Sequence, residues 1–465
     1  MIDFNNIENI YFLGIGGIGM SALARFANSA GKRVAGYDLT KSPLTEQLSN
    51  EGITIHYTED INQLPSQFLG VNTLVVRTPA VPESHSELQY FKENGYQIVK
   101  RSELLGFLTQ GRECIAVAGT HGKTSVSTMT TLLLEGAGID TAAFLGGISR
   151  NFDSNLVLPR EKDSLVVTEA DEYDRSFLHL RPTLAVVTAV DADHLDIYGN
   201  YESVVEAFNQ FVQNIVDGGT LLHKKGINVL ANQSIRLNTF TYSATEEADF
   251  CVKRLKVVDG AYQFDIVAPH LVIKDVRLEY PGRVNVENIL AASAAALLSG
   301  ADPLSIKQTI PTYKGVQRRF DIRFKNDQVI YIDDYAHHPE EIKATVNSVK
   351  ELYPGKKVLG VFQPHLFSRT RDFAEGFAQS LDLLDELLLL DIYPAREVPL
   401  PGVTSNIIFD QMKMTAKSLC TVGQVVSTLR EKEFDILMTM GAGNIDRLID
   451  PICEMLKTKT MAHEA

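Results

Sequence analysis

The sequence predicts an α/β fold of three domains, and three observations carry that prediction. The chain has 465 residues, a length that suits about three domains of ordinary size. Two glycine-rich turns each lie between an apolar, strand-like run and a helix-patterned run, as in nucleotide-binding sheets. In the last third of the chain, successive apolar runs end in polar loops, which is typical of a parallel, doubly wound sheet.

The first glycine turn follows an apolar run at residues 10–13 and precedes a helix pattern that extends to Ala30. Its sequence, GIGGIGM, matches the G-x-G-x-x-G fingerprint, whose glycines permit a tight turn and the close approach of a diphosphate. An acid about 20 residues further on can accept a hydrogen bond from a ribose hydroxyl. A nicotinamide cofactor is the default interpretation, and a UDP-sugar satisfies the same pattern. Glycines that serve only helix–sheet packing are the less favoured alternative. The candidate contacts are Gly14, Gly16, Gly17, Ile18, Gly19, Met20 and Asp38.

The second glycine turn, AGTHGKTS at residues 118–125, lies between an apolar run and a helix pattern at residues 126–135. Backbone N–H groups at a helix N-terminus favour anions, a lysine adds a positive charge, and the next hydroxyl can bind Mg²⁺. The usual phosphate loop has a glycine where Val117 stands here. We nevertheless predict a phosphate site rather than an ordinary strand-to-helix turn. The candidate contacts are Gly119, Thr120, His121, Gly122, Lys123, Thr124 and Ser125.

Metal ligands are predicted after two later strand-like runs. Glu169 follows the run at residues 165–167, and His194 follows the run at residues 184–188. Mg²⁺ takes few protein ligands and keeps waters and phosphate oxygens, so Thr124, Glu169 and His194 would suffice. Taken singly, the glutamate is more often a solvated acid and the histidine a hydrogen-bonded core residue. Their joint occurrence downstream of a phosphate loop favours the metal site.

The region from residue 218 to residue 280 alternates short strand patterns with glycine and asparagine turns, which predicts a small appended sheet. Asn285 and Asn288 then precede an alanine-rich helix pattern at residues 289–298. Their spacing places both amides on one helical face. Binding of an adenine edge and helix capping explain the two asparagines equally well.

The third segment begins near Pro311 and carries its polar residues in four loops. These loops are DDYAHHP at 333–339, QPHLFSRTRD at 363–372, YPARE at 393–397 and GAGN at 441–444. Solvated charge is the simpler explanation of any one loop. Because the carboxyl ends of parallel strands meet at one edge of a sheet, four such loops predict a shared ligand face.

Composition excludes several classes of protein. A net charge of −14 disfavours nucleic-acid binding, which depends on a basic surface. The four cysteines are far apart and include no C-x-x-C pair, which argues against a zinc site and a disulfide framework. The acidic N-terminus and the lack of an apolar run near the roughly 18 residues of a membrane span predict a cytoplasmic protein without membrane insertion.

Nine motifs, in order over nearly the whole chain, resemble those of the Mur ligase family. They are GIGGIGM, AGTHGKTS, TEADEYDRSFLHL, DADHLD, PGRVNVEN, GVQRRFD, DDYAHHPEEI, FQPHLFSRTRD and GAGN. The resemblance implies an N-terminal Rossmann-like UDP-sugar domain at 1–105, a central P-loop ATPase domain with a parallel or mixed sheet at 106–312, and a C-terminal Rossmann-like amino-acid domain at 313–465.

The same resemblance implies an activity and its partners. The expected reaction joins L-alanine to the lactyl carboxylate of UDP-N-acetylmuramate through an acyl phosphate, with ATP as the second substrate, in peptidoglycan precursor synthesis. The expected cofactor is Mg²⁺, as two ions that Mn²⁺ can replace, and the expected assembly is a monomer or a weak homodimer.

Residue roles follow from the resemblance by position. The first glycine loop and Asp38 are expected to bind the UDP moiety, and the second loop is expected to bind ATP phosphates. Thr124 and Glu169 are expected on one metal ion and His194 on the other. The remaining assignments are Asn285 and Asn288 to adenine, Arg319 and Asp334 to the phosphate and ribose of ATP, and His337, His338, His365 and Arg369 to the amino acid and the sugar carboxylate. The expected catalytic groups are Lys123, His194, His337 and His338.

Three alternatives remain open at this stage. A muropeptide recycling ligase attaches a tripeptide to the same UDP-sugar and shares most motifs, although SFLHL at 176–180 favours the alanine-adding branch. Related ligases that add later residues often carry a carbamylated lysine near the second metal. No lysine occurs between Lys162 and Lys224, which also favours the alanine-adding branch. A nicotinamide-dependent oxidoreductase leaves the second phosphate loop unexplained. A nucleotide switch is disfavoured because the sequence has no N-K-x-D guanine motif.

Overall fold

The structure, a computed structural model, describes residues 6–70, 72–161, 163–191, 195–229, 235–395 and 397–461. The chain divides into two compact units. The first comprises Met1–Leu255, Phe264–Val276 and Glu287–Lys314, and the second comprises Lys256–Gln263, Arg277–Val286 and Gly315–Ala465. The described residues form three sheets with helices between their strands, which confirms the predicted three-domain α/β architecture. The predicted boundary after residue 105 falls inside a helix, Arg101–Thr109.

The first sheet is parallel. Its strands are β1 (Asn9–Leu13), β2 (Arg33–Tyr37), β3 (Thr54–His56), β4 (Thr73–Arg77) and β5 (Gln97–Lys100). The helices between and after them are α1 (Ile18–Ser29), α2 (Pro43–Asn50), α3 (Ser86–Glu93) and α4 (Arg101–Thr109). The strand order is β3-β2-β1-β4-β5. From β1 the chain continues to β2 and β3 on one side, and then to β4 and β5 on the other side of β1. The first glycine loop therefore lies at the switch point where such sheets bind ligands.

The second sheet has ten strands in the described part of the chain. They are β6 (Cys114–Ala118), β7 (Thr141–Ser149), β8 (Ser154–Val157), β9 (Leu165–Ala170), β10 (Leu184–Val187), β11 (Thr220–Lys224), β12 (Asn238–Ser243), β13 (Phe250–Val258), β14 (Ala261–Ala268) and β15 (Leu271–Leu278). The associated helices are α5 (Lys123–Gly136), α6 (Leu195–Tyr198), α7 (Tyr201–Gln213), α8 (Arg283–Leu298) and α9 (Pro303–Thr309). The strand order is β15-β14-β13-β12-β11-β10-β6-β9-β7-β8. Because β9 and β10 both pair parallel with β6, the segments that follow these three strands meet at one edge.

The strands after residue 218 do not form a separate small sheet, so that prediction is wrong. They continue the second sheet, because β11 pairs parallel with β10 and β12 pairs parallel with β11. Without β11, the outer side of β10 would present unpaired backbone N–H and C=O groups, and the added strands satisfy them.

The third sheet is mixed, with β16 antiparallel to β17 and the other pairs parallel. Its strands are β16 (Asp321–Lys325), β17 (Ile330–Asp334), β18 (Val358–Phe362), β19 (Glu386–Leu390), β20 (Lys417–Cys420) and β21 (Ile436–Met440), in the order β16-β17-β21-β18-β19-β20. Its helices are α10 (Pro339–Leu352), α11 (Phe367–Asp372), α12 (Ala374–Leu381), α13 (Asn406–Phe409), α14 (Val425–Arg430) and α15 (Ile449–Met461). Every residue of β18, β19 and β21 is buried, as expected of central parallel strands covered on both faces.

Short 3₁₀ helices connect several of these elements. They are Ile61–Gln63, Ser66–Phe68, Tyr173–His179, Ile310–Thr312, Val422–Gln424 and Asn444–Leu448. None of the helices in the described ranges combines the length and the apolar character that crossing a bilayer requires.

A buried asparagine attaches the first glycine loop's helix to the second sheet. Asn155, in β8, is fully buried, and its Nδ2 donates to the Ile18 carbonyl at 2.5 Å and to Ser21 Oγ at 2.9 Å. Its Oδ1 accepts a hydrogen bond from Arg25 Nη1 at 2.7 Å. All three partners lie on α1, so one amide holds the start of that helix against the neighbouring sheet.

We expect Asn155→Leu to lower the free energy of unfolding by about 2–4 kcal/mol, because buried polar groups on α1 lose their partner. Urea denaturation followed by circular dichroism measures the change. The matched control is Asn151→Leu, since Asn151 bonds to Thr312 and Lys314 at the surface. Equal losses for the two variants would contradict a special role for Asn155.

A second buried polar group lies on the opposite face of the first sheet. Glu87, in α3, is fully buried, and its Oε2 accepts a hydrogen bond from the Tyr11 hydroxyl at 2.8 Å. The Tyr11 hydroxyl also lies 2.7 Å from His56 Nε2. Burial raises the pKa of Glu87 to about 7 and lowers the pKa of His56 below its usual value. The folded state therefore favours the neutral forms of both side chains.

The raised pKa of Glu87 predicts a pH dependence of stability. Folded Glu87 keeps its proton where the unfolded chain loses it, so its contribution is present below the ordinary pKa of 4.5 and is lost as pH rises through about 7. We expect Glu87→Gln to reduce the fall in unfolding free energy between about pH 5 and about pH 8, by up to about 3 kcal/mol. Urea unfolding at both pH values measures this.

The control for that experiment is Glu59→Gln on the same side of the sheet. Hydrogen bonding from Ser86 lowers the pKa of Glu59, so this carboxylate titrates below the tested range. An unchanged pH dependence in Glu87→Gln would show that Glu87 does not carry the effect.

Candidate active site

The second glycine loop connects β6 to α5, as the sequence predicts. Gly122 precedes α5 with a φ of 84°, and no side chain caps the helix. Gly119 has a φ of 139°, and a Cβ atom there would lie 2.1 Å from Thr188 Oγ1. Any side chain at this position would therefore clash with Thr188 and force the loop into another conformation. The first backbone N–H groups of α5 form the kind of helix N-terminus that attracts an anion.

Three other loop residues have identifiable surroundings. Thr120 Oγ1 donates to Asp191 Oδ2 at 3.2 Å, and His121 Nε2 lies 3.7 Å from the same carboxylate oxygen. Ser125 lies in the first turn of α5 and is half-buried. Asp191 therefore connects the loop to the segment after β10.

Lys123 is held by a buried carboxylate that the sequence reasoning missed. Its Nζ donates to Glu172 Oε1 at 2.8 Å and to the Gly119 carbonyl at 2.7 Å. The Glu172 side chain is only 1% exposed. Burial alone would lower the pKa of Lys123, but the carboxylates of Glu172, Glu169 and Asp171 outweigh it and raise the pKa. The charged form of the lysine is therefore favoured beside the loop.

Thr124 and Glu169 come together as predicted. Thr124 Oγ1 donates to Glu169 Oε2 at 2.8 Å. Glu169 lies within β9 rather than in the loop after it, because the strand extends to Ala170. A Cβ atom on Gly146 of the neighbouring β7 would lie 1.9 Å from Glu169 Oε2, so the glycine makes room for the carboxylate.

These two oxygens fit a magnesium ion. A hydroxyl and a carboxylate are hard ligands of the kind that Mg²⁺ takes, and their oxygens lie 2.8 Å apart, so both would reach one ion. His194 lies outside the described residues. Within the described ranges, no group of three histidine, cysteine, aspartate or glutamate side chains forms a metal cage; Mg²⁺ does not need one, since it keeps waters and phosphate oxygens.

The two asparagines lie inside α8, which begins at Arg283 rather than at residue 289 as predicted. The Asn288 Oδ1 atom borders the phosphate loop, at 3.0 Å from where a Cβ on Gly122 would stand. Asn285 Nδ2 donates to the Pro281 carbonyl at 2.6 Å, just before the helix. Asn288 therefore lies beside the candidate phosphate site, and Asn285 stabilises the helix start.

The first glycine loop also has the predicted geometry. Gly14 has a φ of 85°, which permits the tight turn after β1, and α1 has no side-chain N-cap after Gly17. Asp38 Oδ2 accepts a hydrogen bond from the Gly16 N–H at 2.8 Å. Asp38 therefore supports the loop itself, and its contact with a ribose stays a prediction. Ile18 is half-buried in the first turn of α1, and Met20 is buried.

In the second unit, Asp334 ends β17 and is buried. Its Oδ2 accepts from the Phe320 N–H at 2.8 Å and its Oδ1 from the Ala336 N–H at 2.7 Å. Burial raises the pKa of Asp334 to about 6, although Arg319 and the two N–H groups oppose that shift. The Arg319 guanidinium lies 5.2 Å above the Tyr335 ring.

Two of the predicted histidines come together in this unit. The ring centroids of His337 and His365 are 6.0 Å apart. His337 Nδ1 lies 3.0 Å from the Tyr335 carbonyl and 3.2 Å from Glu341 Oε2. Because both partners are acceptors, Nδ1 carries the proton, and a neutral ring has its lone pair on Nε2.

The other two predicted residues lie nearby in the chain. The His338 ring packs against Phe373 at 4.8 Å, and Arg369 is half-buried in α11. Hydrogen bonds and charge from His337, together with Arg319, outweigh burial and hold the pKa of Glu341 well below its usual range. Glu341 was missed from the sequence, although a glutamate three residues after a helix cap is a recognised capping signal. It accepts from the N–H groups of both His337 and His338.

Three family models match consecutive parts of the chain. They are the Mur ligase family catalytic domain at residues 9–113, the Mur ligase middle domain at residues 117–296 and the Mur ligase glutamate ligase domain at residues 318–443. Each match covers one of the three sheets or most of it.

Individual relatives align along nearly the whole chain. The chain is 50% identical to "UDP-N-acetylmuramate--L-alanine ligase" of Parabacteroides distasonis over 98% of both chains. It is 47% identical to a protein of the same name from Phocaeicola vulgatus, over 98% of this chain and all of the other. The solved structure of a UDP-N-acetylmuramate-alanine ligase from Thermotoga maritima matches with a TM-score of 0.82 at 25% identity, over 97% of this chain and 99% of that one. Because the models and the relatives agree over all three sheets, we conclude that this chain belongs to the Mur ligase family.

Proposed function

We propose that this protein joins L-alanine to the lactyl carboxylate of UDP-N-acetylmuramate and converts ATP to ADP and phosphate in doing so. The observation that carries the proposal is the arrangement of Lys123, Thr124 and Glu169 at the N-terminus of α5. The 50% sequence identity to the UDP-N-acetylmuramate–L-alanine ligase of Parabacteroides distasonis supports it. A carboxylate does not form an amide at neutral pH without activation, because attack by an amine would have to expel oxide. ATP supplies a better leaving group, namely phosphate.

ATP and Mg²⁺ would be held chiefly by the edge of the second sheet. The loop N–H groups and Lys123 would bind the phosphates, and Thr124 and Glu169 would bind one metal ion. Bound there, Mg²⁺ would neutralise charge on the phosphate oxygens. The other contacts proposed for ATP are Asn285 and Asn288 at adenine and Arg319 and Asp334 at phosphate and ribose, with His194 at a second ion.

The first chemical step is transfer of the γ-phosphoryl group. A lactyl carboxylate oxygen attacks the γ-phosphorus, the bond to the bridging oxygen breaks, and ADP and an acyl phosphate result. Lys123 would stabilise the negative charge on the transferring oxygens, and its contact with Glu172 favours the charged form of the lysine.

The second step is amide formation. The amine of L-alanine attacks the acyl carbon, and the tetrahedral intermediate expels phosphate. The amine must lose a proton, and Nε2 of His337 is proposed to accept it, since Nδ1 holds its own proton towards the Tyr335 carbonyl and Glu341. Glu341 and the Tyr335 carbonyl then stabilise the imidazolium through Nδ1–H. This geometry favours His337 over His338 as the base, with His365 and Arg369 proposed at the substrate carboxylates.

The direct test supplies ATP, Mg²⁺ and UDP-N-acetylmuramate with L-alanine, glycine, L-serine or the muropeptide tripeptide in separate reactions. We expect phosphate release to require both the UDP-sugar and L-alanine, and we expect mass spectrometry to find the UDP-sugar with one added alanyl residue. Phosphate release without the UDP-sugar would contradict ligation. Preference for the tripeptide would assign the recycling reaction instead.

Lys123→Met is the informative variant within this assay. We expect turnover to fall by at least about 10³-fold while calorimetry still detects UDP-sugar binding, because Lys123 lies beside the second glycine loop and not beside the first. Lys92→Met, which removes a surface ion pair with Glu83, serves as the control and should retain turnover.

A further inference from the structure

Arg101, the first residue of α4, lies between the first glycine loop and the segment that follows β9. Its Nη2 donates to Asp171 Oδ2 at 3.1 Å. On the other side, a Cβ atom added to Gly19 would lie 2.3 Å from Arg101 Nη1 and 3.1 Å from its Cδ. The third glycine of such a fingerprint ordinarily permits close packing of helix and strand. Here Gly19 leaves the space that an arginine side chain occupies.

A cavity of about 90 Å³ lies beside this guanidinium. Ile18 and Gly19 of the first glycine loop form one part of its wall, and Gly146 and Glu169 form another. The cavity therefore adjoins both the loop proposed for the UDP diphosphate and the carboxylate proposed for Mg²⁺. A substrate that reaches from one to the other would pass the Arg101 side chain.

The charges on the cavity wall create a problem for such a substrate. Glu169 and Asp171 are both carboxylates, and UDP-N-acetylmuramate carries a diphosphate and a further carboxylate. Among the described residues that line the cavity, Arg101 alone is a cation. A metal ion held by Glu169 would offset one repulsion, and Arg101 is placed to offset the other.

The Arg101–Asp171 pair is also exchangeable. The two side chains are 25% and 35% exposed, so separating them costs little, as expected of an ion pair open to water. A guanidinium presents five N–H groups in a rigid fork that suits phosphate and carboxylate oxygens.

On the basis of the proposed function, we propose that Arg101 is a positioning residue for the UDP-sugar. Its guanidinium binds an anionic oxygen of that substrate, either of the diphosphate or of the lactyl carboxylate. The ion pair between Arg101 and Asp171 breaks when this contact forms. The sugar is thereby held with its carboxylate directed towards Thr124 and Glu169, the proposed Mg²⁺ ligands.

The test compares Arg101→Met and Arg101→Lys with the unaltered enzyme. For Arg101→Met we expect the KM for UDP-N-acetylmuramate to rise about tenfold or more, with the KM values for ATP and L-alanine unchanged. Arg101→Lys keeps the charge but loses the fork, so it should recover part of that affinity. A purely structural role would instead lower kcat or thermal stability without selecting one substrate.

Lys100→Met is the matched control, because Lys100 is the adjacent cation and pairs with Asp174 of the same acidic segment at 3.0 Å. It is absent from the cavity wall, so the KM for the UDP-sugar should stay within about twofold. A rise as large as that of Arg101→Met would overturn the proposal, and so would an unchanged KM in Arg101→Met. Both outcomes leave the ligase reaction of the unaltered enzyme intact, so they are distinguishable from failure of the proposed function.

Calorimetry with three ligands identifies the oxygen that Arg101 binds. Weaker binding of UDP, UDP-N-acetylglucosamine and UDP-N-acetylmuramate to Arg101→Met would indicate the diphosphate. Weaker binding of UDP-N-acetylmuramate alone would indicate the lactyl carboxylate, and unchanged binding of all three would overturn the proposal.

Asp171→Asn keeps the proposal testable if Arg101→Met does not fold. Removing the competing anion should tighten UDP-sugar binding at least about twofold. In the double variant that also carries Arg101→Lys, this gain should be smaller, because the two residues are coupled. Weaker binding in Asp171→Asn would contradict the exchange.

Discussion

The ion pair between Lys123 and Glu172 is the constraint on which the candidate site depends. A buried carboxylate costs several kcal/mol of desolvation unless a cation compensates for it. Glu172 is almost completely buried and Lys123 is its partner at 2.8 Å, so neither can move away without exposing the other to that cost. The Tyr198 hydroxyl further fixes the segment by donating to the Glu172 carbonyl at 2.6 Å. The cation proposed to bind the phosphates is thus already in position beside the loop.

Two glycines near this ion pair are explained by the side chains that approach them. Gly119 is glycine because Thr188 approaches it, and Gly146 is glycine because Glu169 does. Together these contacts leave charged and hard-ligand atoms at one edge of the second sheet, where three parallel strands end. In enzymes, charge stabilisation by groups that need not reorganise is usually the largest single contribution to catalysis, and these residues would supply it in the proposed reaction.

Much of this arrangement is predictable from sequence because it is local. Each glycine loop lies directly between its strand and its helix, so spacing alone locates the turn, the lysine and the hydroxyl. Glu169 required one further step, the rule that parallel strands end at a common edge. The less predictable residues act across long stretches of chain: Glu172 partners Lys123, Asn155 reaches α1, and Arg101 fills the space at Gly19. The strands after residue 218 show the same limit, since alternation predicts strands but does not tell which sheet they join.

In the proposed reaction, phosphoryl transfer activates the sugar carboxylate before the amine attacks. The most direct measurement uses UDP-N-acetylmuramate with ¹⁸O in both oxygens of its lactyl carboxylate, together with unlabelled ATP, Mg²⁺ and L-alanine. If the carboxylate attacks the γ-phosphorus, one labelled oxygen leaves with each phosphate when the amide forms. Mass spectrometry should therefore find one ¹⁸O atom in every inorganic phosphate released during ligation. Amide formation with unlabelled phosphate would contradict it.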